Sequence, residues 1–265
     1  MKKSNKKVKI NEKKMITSIA LVVLIIIAAV VCGFMLFNKK KNYKPMDLSF
    51  TSGVEKLENF DGKGYYKIGW LQVQGTHMDL PIMESDYLRE EETSPSFGWR
   101  SSLYETGENV EVLSGHNILN VSNEPMLPNE NLTDFEELMA FTYYDFAKDN
   151  LYVQYTKDGK DEIYAIYAVG FYNSLTVGSY SMNSKKEINQ YIDRAKNTSI
   201  YKYDVDVDPS DHLIQLRTCT RYFGTSDNQT FIIDARKLRD DEKIVKYNVK
   251  KTKKYDELTK KEEKM

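Results

Sequence analysis

Near the N-terminus, the hydrophobic positions form a single unbroken block. Ile16 to Phe37 contains 22 residues without a charged side chain. As a helix with a rise of about 1.5 Å per residue, this block would be about 33 Å long, enough to cross a hydrocarbon core of about 30 Å. It runs on to Phe37 without a small-residue cleavage pattern, which favours an uncleaved anchor over a cleaved secretory signal. The pattern therefore predicts a transmembrane helix over residues 16–37.

Basic residues flank this predicted helix on both sides. Residues 1–14 carry a net charge of +6, and residues 38–45 carry +4. The more positive flank of a membrane helix usually stays in the cytoplasm. We therefore predict that segment 1–15 is cytoplasmic, and that the chain is a single-pass protein of the cell membrane with its remaining residues outside.

Beyond the predicted anchor, short segments of mixed apolar and polar residues indicate β-strands. Gly75 marks a turn between two such segments, and Asp158–Gly159 marks a hairpin between two longer ones. Further strand candidates are Val110–Gly115, His212–Cys219 and Thr230–Leu238. Helical patterns are confined to Val54–Phe60, Thr133–Phe141 and Ser184–Lys196, the last two with capping-box spacing.

The order of these elements predicts a mainly β fold, because strands do not alternate regularly with helices. A β barrel or sandwich with helical insertions fits this order better than a doubly wound sheet. We predict a stalk with a helical segment over residues 38–60 and a single folded domain over residues 61–238. The charge-rich residues 239–265 are predicted to form a peripheral tail.

The charges of the chain are balanced in number but segregated in position. Its 265 residues include 38 Lys and Arg against 39 Asp and Glu, yet residues 46–238 carry a net charge of −14. So acidic a domain is poorly suited to a phosphate backbone, which argues against nucleic acid as a partner. The two cysteines and three histidines lack metal-ligand spacing, so we expect no metal site and no cofactor.

The candidate chemistry lies where two predicted strands end. Cys219, the one cysteine outside the apolar block, ends a strand; a lone strand cysteine is commonly a small buried apolar residue. Arg217, however, lies two positions earlier on the same face, and a cationic neighbour favours the nucleophilic thiolate. His116 follows Gly115 at another strand end and could protonate a leaving amine in acyl transfer. The other two histidines lie beside turns and are interpreted as solvated or capping side chains.

Two of these segments also suggest a family. The chain resembles the sortases, the cysteine transpeptidases of Gram-positive cell envelopes, in Leu113–Asn117 (LSGHN) and, later, Leu216–Cys219 (LRTC). Further segments resemble class B sortases in particular: Ile68–Ile82, the capped helix Ser184–Lys196, and Phe231–Arg236 in the closing strand. The resemblance covers residues 54–238.

This resemblance implies a sortase-type β barrel with helical insertions and a two-step reaction. Cys219 would attack the carbonyl carbon of a threonine in the C-terminal sorting signal of a secreted protein, and His116 would protonate the departing amine. An amine acceptor, either a peptidoglycan precursor or a pilin lysine, would then take the acyl group from the thioester. Thr218 and Thr230 would contact the substrate. Surface anchoring and pilus polymerisation both remain open.

One position departs from the sortase pattern. Sortases carry a catalytic arginine immediately before the closing apolar run, where this chain has Thr230. Arg217 is the preferred substitute for stabilising the oxyanion, because it shares a strand face with Cys219, and Arg221 is the alternative. If neither acts, the protein would be a catalytically impaired, sortase-like scaffold or binding protein of the envelope. A papain-type peptidase or amidase is disfavoured, because its cysteine would precede the histidine and begin a helix.

Overall fold

The computed structural model divides the chain into two units, residues 1–43 and residues 44–265. It describes residues 21–23, 25–27, 43–60, 67–84, 98–100, 107–173, 182–225 and 229–262. In the first unit, residues 21–23 and 25–27 are helical, whereas most of the predicted transmembrane helix 16–37 lies outside the described residues. Within the described ranges, no helix is both long and apolar enough to cross a membrane.

β-strands are the predominant regular structure among the described residues of the second unit. Its described strands are β1 (Lys44–Pro45), β2 (Lys67–Val73), β3 (Asp79–Glu84), β4 (Gly98–Arg100), β5 (Val110–Ser114), β6 (Tyr152–Lys157), β7 (Lys160–Asn173), β8 (Tyr201–Tyr203), β9 (Leu213–Cys219), β10 (Gln229–Lys237), β11 (Val245–Lys246) and β12 (Val249–Lys251). Eight of them close into a barrel in the order β10-β7-β6-β2-β3-β4-β5-β9. Neighbouring barrel strands are antiparallel except for the parallel pairs β3–β4 and β5–β9. The prediction of a mainly β barrel is confirmed.

Tight turns set the register of two barrel hairpins. Strands β2 and β3 are joined through Gly75, whose φ of 77° lies in the left-handed region. A β-carbon at Gly75 would also collide with the side chain of Asn150. Strands β6 and β7 are joined through Asp158 and Gly159, whose φ values are 51° and 71°. Successive positive φ values, as at Asp158 and Gly159, match the twist of paired strands and are typical of two-residue hairpin turns. Both predicted hairpins are confirmed.

Helices cover parts of the barrel. Those described in the second unit are α1 (Gly53–Asn59), α2 (Tyr144–Ala147), α3 (Lys185–Thr198), α4 (Lys253–Glu262) and a 3-10 helix (Glu136–Thr142). Helix α3 begins with the predicted capping box, in which Ser184 and Glu187 bind each other's backbone N–H groups. Helix α1 is tied to the β6–β7 hairpin, since the Gly53 and Val54 N–H groups donate to the Asp161 carboxylate.

Helix α3 packs against β7 on the outside of the barrel, and its Tyr191 side chain reaches β10 and β9. The Tyr191 hydroxyl of α3 donates to the Asp234 carboxylate of β10, and the Gln215 amide of β9 donates to the same carboxylate at 3.0 Å. As a result, Leu213 to Thr218 are all buried, whichever way their side chains point. Only the last residue of β9, Cys219, is exposed.

The charge-rich residues after Arg239, which we expected to be peripheral, contribute to the fold. Strand β11 pairs with β1, and β12 pairs with β8. Tyr247, Val249 and Leu258 are buried. The apolar residues spaced among the charges thus anchor the C-terminal segment to the domain.

Candidate functional site

The parallel pairing of β5 and β9 brings His116 and Cys219 to the same edge of the barrel. The Gly115 N–H donates to the Arg217 carbonyl at 3.1 Å, and the Thr218 hydroxyl donates to the Gly115 carbonyl at 2.9 Å. His116 follows Gly115 and Cys219 follows Thr218 in the sequence, and both residues are exposed. Two strands that are distant in sequence therefore present a thiol and an imidazole at one rim.

Asn117 joins the loop after His116 to the end of the cysteine strand. Its side-chain amide donates to the carbonyls of Cys219 and Asn120, each at 3.0 Å. Its side-chain oxygen accepts from the Asn120 N–H, also at 3.0 Å. Asn117 is 7% exposed, so these bonds are largely shielded from water. The sequence motif contained Asn117, but it gave no indication of this linking role.

Glu136 supports the same loop from the opposite side. Its carboxylate is buried and accepts backbone N–H bonds from Ile118 and Leu119. The Thr133–Glu136 spacing predicted a capping box, but the helix is a 3-10 helix that begins at Glu136 without a side-chain cap. Only the Glu136 half of the box is present, in which one carboxylate oxygen accepts from the Thr133 N–H. The other oxygen reaches the His116 loop, a long-range contact that local spacing does not reveal.

Gly115 allows the loop to approach the segment that carries Glu136. A β-carbon at position 115 would lie 2.2 Å from the ring of Phe135. We expect Gly115→Ala to lower the free energy of unfolding by about 1–3 kcal/mol, because the ring and the loop would have to separate. Thermal melts measure this effect. An unchanged melting temperature would show that Phe135 can move aside without strain.

A cavity of about 380 Å³ opens beside the cysteine. Its lining residues are Asn117, Ile118, Val121, Cys219, Thr220 and Arg221. Ile118 is exposed and gives the cavity an apolar side. Arg221 is exposed, and its backbone N–H donates to the Val121 carbonyl at 2.9 Å. Thiol, guanidinium and apolar surface thus border one open space.

Arg217 occupies a different environment from Arg221. It is 4% exposed, and by strand alternation it points toward the layer between β9 and α3. Burial raises the pKa of Asp234 to about 7, while the Tyr191 hydrogen bond and the charge of Arg217 oppose this rise. Arg217 is not one of the described residues that line the cavity beside Cys219.

Thr230 is the direct cross-strand partner of Cys219 on β10. It is partly exposed, and paired residues on antiparallel strands point to the same face. Thr218 is buried, lies on the opposite face by alternation, and binds the Gly115 carbonyl.

Within the described residues, no group of three or more His, Cys, Asp or Glu side chains is arranged to hold a metal ion.

Comparison with solved structures defines the class of fold. The chain is similar to sortase B of Clostridium perfringens, with a TM-score of 0.55 and 20% identity, covering 70% of this chain and 99% of that one. It is similar to sortase B from the type II pilus of Streptococcus pneumoniae, with a TM-score of 0.54 and 19% identity, covering 71% and 99%. The domain therefore has the sortase fold, as predicted.

The sequence itself also resembles a sortase. The chain is 20% identical to sortase B of Staphylococcus aureus over an alignment of 240 positions, which covers 80% of this chain and 93% of that protein. No family model matches the chain. The fold and this match support a relationship to the sortases, and the activity is considered below.

Proposed function

We propose that this protein is a membrane-anchored cysteine transpeptidase of the sortase type, similar to class B. The observation that carries the proposal is the shared rim of His116 and Cys219, which Asn117 ties together beside an open cavity. An exposed thiol nucleophile and an exposed imidazole acid at one rim are the groups that covalent acyl transfer requires. The sortase fold supports the same reaction class.

In the first step, the Cys219 thiolate attacks the carbonyl carbon of a threonine in the substrate, giving a tetrahedral oxyanion. The oxyanion collapses to a thioester, the C–N bond breaks, and His116 gives its proton to the departing amine. In the second step an acceptor amine attacks the thioester, His116 takes up a proton from it, and a new amide forms. One amide is exchanged for another.

The developing oxyanion requires a donor, and Arg221 is the better supported candidate. Arg221 borders the cavity and is exposed, whereas Arg217 is buried and its charge acts on the buried Asp234. Thr230 faces the same side as Cys219 but offers only a neutral hydroxyl, and a charged donor makes a hydrogen bond roughly twice as strong as a neutral one. We therefore assign the guanidinium role to Arg221 in place of the sequence-based preference for Arg217.

Two matched arginine truncations test this assignment. Arg221→Ala is expected to slow single-turnover acylation of Cys219 by about 10²-fold to 10³-fold, the scale of losing one oxyanion donor. Arg217→Ala is expected to act mainly by lowering the melting temperature, because Arg217 is buried and its positive charge favours the ionised form of the buried Asp234 carboxyl group. Rapid-quench mass spectrometry and thermal melts measure both effects. The assignment is reversed if Arg217→Ala melts like the parent yet loses more acylation than Arg221→Ala.

The partners follow from the same proposal. The acyl donor would be a secreted protein with a C-terminal sorting signal, and the acceptor a peptidoglycan precursor amine or a pilin lysine. The apolar block 16–37 would hold the enzyme in the cell membrane with the catalytic domain outside. This location would bring the active site to substrates as they leave the cell.

A catalytically impaired scaffold or binding protein is the second candidate function. Thr230 favours it, because this residue faces Cys219 where the sortases carry their arginine. A product assay separates the two functions. The purified protein is incubated with a library of threonine-containing sorting peptides, together with triglycine or a lysine amide as acceptor. A transpeptidase gives a new peptide–acceptor amide that mass spectrometry identifies, whereas a scaffold binds peptides and leaves them intact.

A further inference from the structure

A buried carboxyl group lies beside residues 116–120, the His116 loop. The Glu136 side chain is 2% exposed. One of its carboxylate oxygens accepts from the Ile118 N–H at 2.9 Å and the Leu119 N–H at 2.7 Å, and the other accepts from the Thr133 N–H at 2.8 Å. Hydrogen bonds to an ionised acceptor are roughly twice as strong as neutral ones. These donors therefore hold both the carboxylate and the loop.

Glu136 and its neighbour also bind the loop through their backbones. The Phe135 N–H donates to the His116 carbonyl at 3.1 Å. The Asn120 side-chain amide donates to the Glu136 carbonyl at 2.9 Å. The loop is thus bound at His116 itself and at the positions that follow it. On the side away from the cysteine strand, its conformation depends on one short segment at the start of the 3-10 helix.

We infer that Glu136 is a positioning residue for His116, which acts by fixing the backbone of the loop that carries the imidazole. The inference rests on the proposed transpeptidase function. A general acid must lie within hydrogen-bond reach of the leaving amine, and a displacement of about 1 Å can reduce a rate by about 10²-fold. Losing the carboxylate would release the Ile118 and Leu119 N–H groups and so loosen the backbone that follows His116.

Glu137 offers a matched control in the next position of the chain. Its side chain is 1% exposed. It accepts from the Asn129 N–H at 3.0 Å, contacts His77 Nδ1 at 2.8 Å and accepts from the His77 N–H. Glu137 therefore binds the β2–β3 turn and the later part of the connection at Asn129, whereas Glu136 binds residues 118 and 119 next to His116. Truncating either glutamate removes a buried carboxylate that binds backbone N–H groups.

The experiment compares Glu136→Ala with Glu137→Ala in the transfer assay. We expect Glu136→Ala to lower kcat by about 10-fold to 100-fold with little change in KM, because the acid is displaced while peptide binding is retained. Glu137→Ala should keep a kcat within about twofold of the parent, even with a similarly lowered melting temperature. Glu136→Gln, which retains one acceptor oxygen, should restore part of the rate. Amide exchange at Ile118 and Leu119 should accelerate only in the Glu136 variants.

Equal losses of kcat in the two alanine variants, or a parental kcat in Glu136→Ala, would overturn the inference. If the alanine variants do not melt cooperatively, the comparison of Glu136→Gln with Glu137→Gln decides by the same criteria. A parent protein that forms no product would contradict the proposed function instead. In that case amide exchange still reports whether Glu136 holds the loop.

Discussion

Replacing Cys219 with alanine is expected to abolish both transfer and hydrolysis of a sorting peptide while leaving the domain folded. The Sγ atom would form the thioester, so without it the substrate acyl group has no covalent acceptor. Cys219 is the exposed last residue of β9, so its truncation leaves no buried cavity. Surface substitutions of this kind change stability by about 0.5 kcal/mol or less.

Peptide turnover and thermal melts, measured on the parent and on Cys219→Ala, check this result. Cys219→Ser provides a control for shape, because it keeps a side chain of similar size with a much weaker nucleophile. Both variants should melt like the parent and yield no product. Substantial product from Cys219→Ala would mean that another group performs the reaction.

His116→Ala is expected to slow acylation by about 10²-fold to 10⁴-fold, the usual contribution of a general acid. Without the imidazole, the departing amine would leave unprotonated, whereas peptide binding in the cavity beside Cys219 would change little. His212→Ala is the matched control, because His212 is exposed, precedes β9 and lies at the start of the strand that Cys219 ends. It should acylate like the parent.

Single-turnover acylation of the two histidine variants measures this difference. Both should melt near the parental temperature, because both side chains are exposed. If His116→Ala acylated within about tenfold of the parent, general acid catalysis would have to come from another group.

The fold was predictable wherever local rules apply. Gly75 and Asp158–Gly159 specify hairpins through their positive φ values, and Ser184 with Glu187 specifies the start of α3. The parallel pairing of β5 with β9 has no such local signal, because it joins residues about a hundred positions apart, as the Thr218–Gly115 bond shows. Only the resemblance to sortases indicated that His116 and Cys219 belong to one site.

The choice of arginine shows the limit of strand alternation. Alternation correctly relates Arg217 to Cys219, since both belong to one face of β9. It cannot reveal that this face is buried as far as Arg217 and is open only at Cys219. Arg221 follows β9 in a loop, where no periodic pattern predicts side-chain direction. The sequence likewise indicated Glu136 only as a helix cap, because its bonds to Ile118 and Leu119 join residues that are distant in sequence.

The central claim is that Cys219 becomes covalently acylated by a sorting peptide. Intact-mass spectrometry of the purified protein, quenched in acid after incubation with a cleavable peptide and no acceptor, tests it most directly. The account predicts a mass increase equal to the acyl fragment, located on Cys219, removed by hydroxylamine and absent from Cys219→Ala. Peptide that is cleaved without any adduct on Cys219, or bound without being cleaved, would contradict the account.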